Sequence, residues 1–161
     1  MLSKIRALAF ATALVASTGL QAVAEDVLLT IDGPTEAGER VDLTLKDLEA
    51  IGISTIVTKT PWLDREVTYE GVALLDLLNK VGAKGTSLTV SALNNYRSHV
   101  PVEDLRKYGV ILAYRQDGAY MPVSDKGPLF VVYPFDSDPA LRNEIYYARS
   151  AWQVRSITVE Q

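Results

Sequence analysis

The sequence predicts an α+β fold on two observations. Strand-like runs outnumber helical ones, and the two kinds follow no regular alternation, unlike a doubly wound parallel sheet. Val27 to Ile31 reads as the first strand, closed by Asp32-Gly33-Pro34. Arg40 to Leu43 is the second; Thr44, with Asp47 three residues on, then caps a short helix that Gly52 stops. Ile53 to Thr58 is a β-branched run, and 59–65 reads as a loop leading into a strand at Glu66–Tyr69. Ala73 to Val81 has helical periodicity and ends at Gly82. Ser87 to Ala92 is a strand, followed by the polar turn Asn94-Asn95-Tyr96, and Pro101 opens a short helix that ends at Gly109. Val110–Arg115 and Ala119–Val123 form a hairpin around Asp117-Gly118. Leu129 to Tyr133 is an apolar buried strand, and after a loop and a weak helical stretch Trp152 to Val159 alternates as the last one.

Residues 1–24 read as a cleavable secretory signal. Lys4 and Arg6 supply the positive start, Ala7 to Leu20 the apolar stretch, and Ala22-Val23-Ala24 the small residues of a cleavage site. The apolar stretch is shorter than the ~20 residues that cross a bilayer, so the expectation is a periplasmic protein cleaved near Ala24. Residues 25–161 then form one domain, large enough to bury its own core. Without Lys4 and Arg6 the chain holds 14 basic against 20 acidic residues, a formal −6. That sign argues against nucleic acid as a partner and against anionic membrane surfaces.

The chain has no cysteine and a single histidine, His99. Thiol nucleophiles, iron–sulfur clusters and thiolate metal ligands are therefore excluded, and an ordinary zinc site lacks its ligands. A Ser-His-Asp triad would have to run through His99, which has no nucleophile-elbow pattern near it and reads as a partly exposed loop or strand-end residue. Asp136 and Asp138 in Phe-Asp-Ser-Asp-Pro read as turn residues. Trp62, Tyr96, Tyr114, Tyr133, Tyr146, Tyr147 and Trp152 fall at strand ends or in connections, with Arg97, Arg115, Arg149, Asn94 and Asn95 close by in sequence. Aromatic and guanidinium planes stack on a flat heterocycle, and amides read its hydrogen-bonding edge. Residue types alone leave a second reading open, rings that fill the core with their polar tips outward, and composition leans to it.

An ordered set of motifs resembles the molybdopterin-binding domain of the sulfite oxidase family. Tyr69-Glu70-Gly71-Val72-Ala73-Leu74-Leu75-Asp76-Leu77-Leu78 is similar to that family's Gly-Val-x-Leu-x-Asp-Leu-Leu segment. Asn94-Asn95-Tyr96 resembles its Asp-Gly-Tyr turn, Ile111 to Tyr114 its Leu-Ala-Tyr strand, and Asp117-Gly118 falls where it has Asn-Gly. Gly127 to Pro134 resembles its Gly-x-Pro-Leu strand, and Ala148-Arg149-Ser150 its closing Ala-Arg-Ser element.

The resemblance implies a mixed-sheet α+β fold and a pterin-type ligand, molybdopterin-like or a free reduced pterin. It also implies that Trp62 and Tyr96 wall the ring, that Asn94, Asn95 and Arg97 read its edge, and that Arg149 and Ser150 contact it. Tyr114, Arg115 and Tyr133 stand as further candidates. In the family's enzymes a cysteine on the loop before the Gly-Val segment binds molybdenum; here that region is Thr58-Lys59-Thr60-Pro61-Trp62. No molybdenum is therefore expected. The length, leader, missing cysteine and Trp-bearing loop are similar to a subgroup of small periplasmic pterin-binding proteins. These present a pterin to the periplasmic domain of a membrane enzyme of cyclic di-GMP signalling. Two other readings stay open: a molybdopterin-dependent oxidoreductase, and an interaction module that kept the fold without the ligand.

Overall fold

The computed structural model describes residues 26–161, and the expected leader lies outside the described residues. Among the described residues the main elements are two five-stranded sheets and four short α-helices. The first sheet has the order β2 (Gly38–Leu43), β1 (Leu29–Thr35), β10 (Val154–Glu160), β5 (Ser87–Ala92) and β6 (Arg97–Pro101). The second runs β3 (Ser54–Thr60), β4 (Leu63–Ala73), β7 (Ile111–Gln116) and β8 (Ala119–Tyr120), with β9 (Phe130–Val132) also paired to β7. Only β1 and β10 pair in parallel, which makes the first sheet mixed.

The helices follow local sequence rules. α1 (Leu45–Ile51) starts at a reciprocal cap: Thr44 Oγ1 accepts the Asp47 amide (3.2 Å), and Asp47 Oδ2 accepts the Thr44 amide (2.8 Å). α2 (Leu74–Val81) buries Leu74, Leu77, Leu78 and Val81, a helical spacing, and ends on Gly82 in the left-handed region. Pro101 precedes α3 (Val102–Tyr108), and Asn143 caps α4 (Glu144–Arg149) by accepting the Ile145 amide. Leu29, Ile31, Leu88, Val90 and Ile157 of the first sheet meet α2 and the inward residues Val72, Leu112, Tyr114 and Val131 of the second in one core. The alternate residues of the second sheet, among them Val67, Tyr69, Ile111 and Phe130, form a smaller cluster on its other face.

Three local expectations are corrected. The stretch 59–65 is not a loop: β3 and β4 form a hairpin whose turn is Pro61-Trp62, with Thr60 opposite Leu63. The run Asp64-Arg65-Glu66 hid this strand, because it is exposed throughout and lacks alternation. Arg97–Pro101 is a strand whose Ser98 and Val100 point inward, so His99 sits mid-strand and exposed. The last strand begins at Val154, not Trp152. Gln153 has φ 54°, a kink that takes Trp152 out of the strand alternation and leaves it bridged to Phe130.

Gly71 explains the Gly-Val motif as packing. A Cβ there would lie 2.1 Å from the Leu112 carbonyl oxygen and 2.5 Å from Ala113 Cα, backbone atoms that cannot move aside. The β4–β7 register also shifts between Glu70 and Gly71. Gly71→Ala is expected to cost about 2 kcal/mol, measured by urea denaturation at constant m-value.

Candidate functional site

A cleft of about 310 Å³ opens between the β3–β4 turn, the β5–β6 turn and the chain from α4 to β10. Trp62, Asn94, Tyr96, Tyr147, Ala148, Ser150, Ala151 and Trp152 line it. Trp62, at the hairpin tip, stands edge-on to Trp152 (centroids 5.2 Å, planes 83° apart) and to Tyr147 (6.3 Å). Trp152 reaches the cleft because of the Gln153 kink. Asn95 holds the β5–β6 turn with φ 65°, and Asn94 Oδ1 accepts the Tyr96 amide at 3.0 Å. Tyr96 crosses from that turn to α4, where its hydroxyl donates to the Ala148 carbonyl at 2.8 Å. The residue is 44% exposed, which leaves surface for a ligand. Ser150 is buried, with its hydroxyl committed to the Tyr146 carbonyl (2.9 Å). The cleft thus offers aromatic surface on several sides and an amide at its rim. Its volume, at the lower end of the ~300–1,000 Å³ of ligand pockets, suits one flat bicyclic ring.

The structure brings four of the ten candidate residues together here: Trp62, Asn94, Tyr96 and Ser150. The other six do not line the cleft. Asn95 turns to the outer side, where its Oδ1 faces Arg155 Nη2 at 3.4 Å, and Arg97 is exposed at the start of β6. Arg149 is neutralised within the fold: its Nη1 donates to Asp104 Oδ2 at 2.7 Å, with the guanidinium over the Tyr146 ring. Tyr133 is fully buried and donates to the same Asp104 oxygen at 2.8 Å; burial, reinforced by that bond, pushes its phenol far above the ordinary range. Tyr114 is buried in the core, and Arg115 pairs with Glu49 and Tyr120 on the second sheet. Family motif and loop position had marked these residues; internal partners hold Asn95, Arg115, Arg149 and Tyr133, the core holds Tyr114, and Arg97 stands exposed away from the cleft.

Tyr147 and Trp152, two of the aromatic residues read at strand ends and connections, also line the cleft although neither was named as a ring contact, and Ala148 and Ala151 join them. The adjacency of Tyr147 to the Ala148-Arg149-Ser150 element was the available signal; the kink that delivers Trp152 leaves no mark in sequence.

The profile of the oxidoreductase molybdopterin binding domain family matches residues 17–137. The chain belongs to that family. The crystal structure of the sulfane dehydrogenase SoxCD from Paracoccus pantotrophus aligns with a TM-score of 0.63 at 20% identity, covering 88% of this chain and 40% of that one. The likeness is one of fold, the sulfite oxidase-like molybdopterin-binding fold, and this chain spans well under half the length of that protein. No curated protein matches the sequence. The family match ends before α4, so the Tyr147–Trp152 wall of the cleft lies beyond it and the Trp62, Asn94 and Tyr96 wall within it.

The aromatic cleft fits the ring of a pterin. It does not fit a thiolate-held metal, because the chain has no cysteine and, among the described residues, no three His, Asp or Glu are grouped to hold a metal ion. Thr58, before the hairpin tip, is committed elsewhere: its hydroxyl accepts the Asp136 amide at 3.0 Å. Thr60 Oγ1 is buried with no hydrogen bond of good geometry, yet a neutral hydroxyl is a weak ligand beside a thiolate.

Asp136 is a brace rather than a metal ligand. It accepts the Lys59 amide (2.6 Å) and pairs with Arg142 (2.7 Å), tying the strand that carries Trp62 to the loop before α4. The Lys59 amide first, then Arg142 and Thr58, hold its carboxyl below the usual range against the opposing cost of burial. A depressed folded pKa gives stability that is full above the unfolded value, about 3.9, and is lost as pH falls through the lower folded one. Asp136→Asn is expected to flatten that acid limb in melts recorded between pH 2 and 5.

Proposed function

We propose that this is a periplasmic, non-catalytic pterin-binding protein that senses its ligand and regulates a membrane signalling enzyme. One observation carries the ligand: Trp62, Tyr96, Tyr147 and Trp152 wall a ring-sized cleft in a molybdopterin-binding domain that has no cysteine. Stacking on such rings is worth about 1–3 kcal/mol for a nucleobase, and a pterin presents the same flat, polarisable face. Asn94 engages only its Oδ1 within the protein, so its amide hydrogens are available to a ring carbonyl or nitrogen. The sensing role is supported by the leader-like start and by the likeness to the small cysteine-less subgroup.

Both of the chain's tryptophans line the cleft, so intrinsic fluorescence reports its occupancy directly. Titration with a tetrahydropterin under anaerobic conditions is expected to give saturable one-to-one quenching. Unchanged emission at millimolar ligand contradicts the proposal. Tyr96→Ala removes a half-exposed ring together with its bond to Ala148, and is expected to weaken binding roughly tenfold while costing only about 1 kcal/mol of stability.

A further inference from the structure

Among the described residues β2 and β6 end the first sheet and β3 and β8 the second, while the outer side of β9 is taken by the chain before β10, where the Val131 amide donates to the Ala151 carbonyl at 2.9 Å. An edge strand presents unpaired amides and carbonyls, and natural proteins blunt it with charge, proline, brevity or cover. Three edges here are blunted. β2 exposes Glu39, Arg40 and Asp42; β6 exposes Arg97 and His99 and closes on Pro101; β8 is two residues long. The β3 edge is different. Ile53 to Thr58 (Ile-Ser-Thr-Ile-Val-Thr) contains no charge, proline or glycine, and Ile53 and Val57 are 61% and 57% exposed. This is the composition that pairs strands between chains. Cover begins only at Lys59, whose amide leaves the ladder for Asp136.

We propose that the open edge of β3 is a self-association surface, where two copies of this chain join antiparallel through residues 53–57. A second copy is favoured over a foreign strand because the edge is complementary to itself. Strand geometry repeats every two residues, so the outward Lys59 amide sends the amides and carbonyls of Val57 and Thr55 to the same open side. A two-fold axis at Ile56 sets each Thr55 opposite a Val57 of the other copy, and each such pair exchanges two N–H···O bonds. The same register sets Lys59 against Ile53, so no charge meets a like charge and the lysine stem covers an exposed isoleucine. A five-residue edge buries less than the roughly 1,000 Å² of a stable interface. The association is therefore reversible and depends on concentration.

Sedimentation velocity of the purified protein from micromolar to millimolar tests this. The apparent mass is expected to rise from one chain towards two. Val57→Lys and Thr55→Pro should each hold it at one chain without lowering the thermal melt, since a solvent-facing edge tolerates both. The cysteine-free background allows a register test. Opposed bonded residues sit about 5.5 Å apart between Cα atoms, within disulfide reach, so the double variant Thr55→Cys/Val57→Cys should form a covalent dimer on mild oxidation. A mass of one chain throughout, a dimer that survives Val57→Lys, or cross-linking only to a different protein each overturns the proposal.

Discussion

Asp104→Ala is expected to destabilise the domain by about 3 kcal/mol, lowering the thermal midpoint by roughly 10 °C. Asp104 is 7% exposed and accepts from both the Arg149 guanidinium and the Tyr133 hydroxyl. Its removal strands a largely buried cation and a fully buried phenol at once. The cost is that of unpaired groups rather than the net worth of the pair, because burying charges already offsets much of their attraction. Asp104→Asn keeps one acceptor and should lose about half as much. The comparison also decides the role of Arg149. If it serves α3–α4 packing, Asp104 variants shift stability and leave pterin affinity intact in the folded protein. If it serves the ligand, releasing it from Asp104 changes affinity.

Trp62→Ala carries the largest expected effect on binding, a loss of about 100-fold. The indole is half-buried against Phe130, Tyr147 and Trp152, so it walls the cleft and also fixes the other rings. Its loss therefore removes one stacking surface and loosens two more. Trp62→Phe restores a flat ring in the same place and should recover most of the affinity. Trp152 remains as the fluorescent reporter in both variants. Arg97→Ala, outside the cleft lining, should change affinity far less than Trp62→Ala; equal losses would move the binding surface out towards β6.

Much of the fold was legible because it is written in local chemistry. The Thr44–Asp47 cap, the α2 periodicity and the Asp117-Gly118 turn, with φ values of 49° and 81°, need only neighbours in sequence. The parallel pairing of β1 with β10 joins the two ends of the domain and leaves no local mark. The site divides in the same way. Trp62, Asn94 and Tyr96 were readable as exposed rings and amides on turns, which present side chains outward. Arg149 and Tyr133 had the right chemistry and motif, yet Asp104, forty-five and twenty-nine residues away, claims both. No sequence spacing reveals a partner brought close by tertiary packing. Trp152 was legible as an aromatic residue at a strand end but not as a wall of the cleft: alternation placed it in the final strand, and a single positive φ at Gln153 redirected it.

If the aromatic cleft takes a pterin ring as proposed, it should hold the ring without the metal, because the chain has no thiolate. The decisive measurement is the ligand content of protein purified from the periplasm of a cell competent to make molybdenum cofactor. The protein is denatured, the released small molecules are identified by mass spectrometry, and molybdenum is measured on the same sample. One pterin per chain with no stoichiometric molybdenum is the predicted result. Stoichiometric molybdenum would make the protein an oxidoreductase of its family, and the absence of any pterin would leave the cleft without the ligand assigned to it.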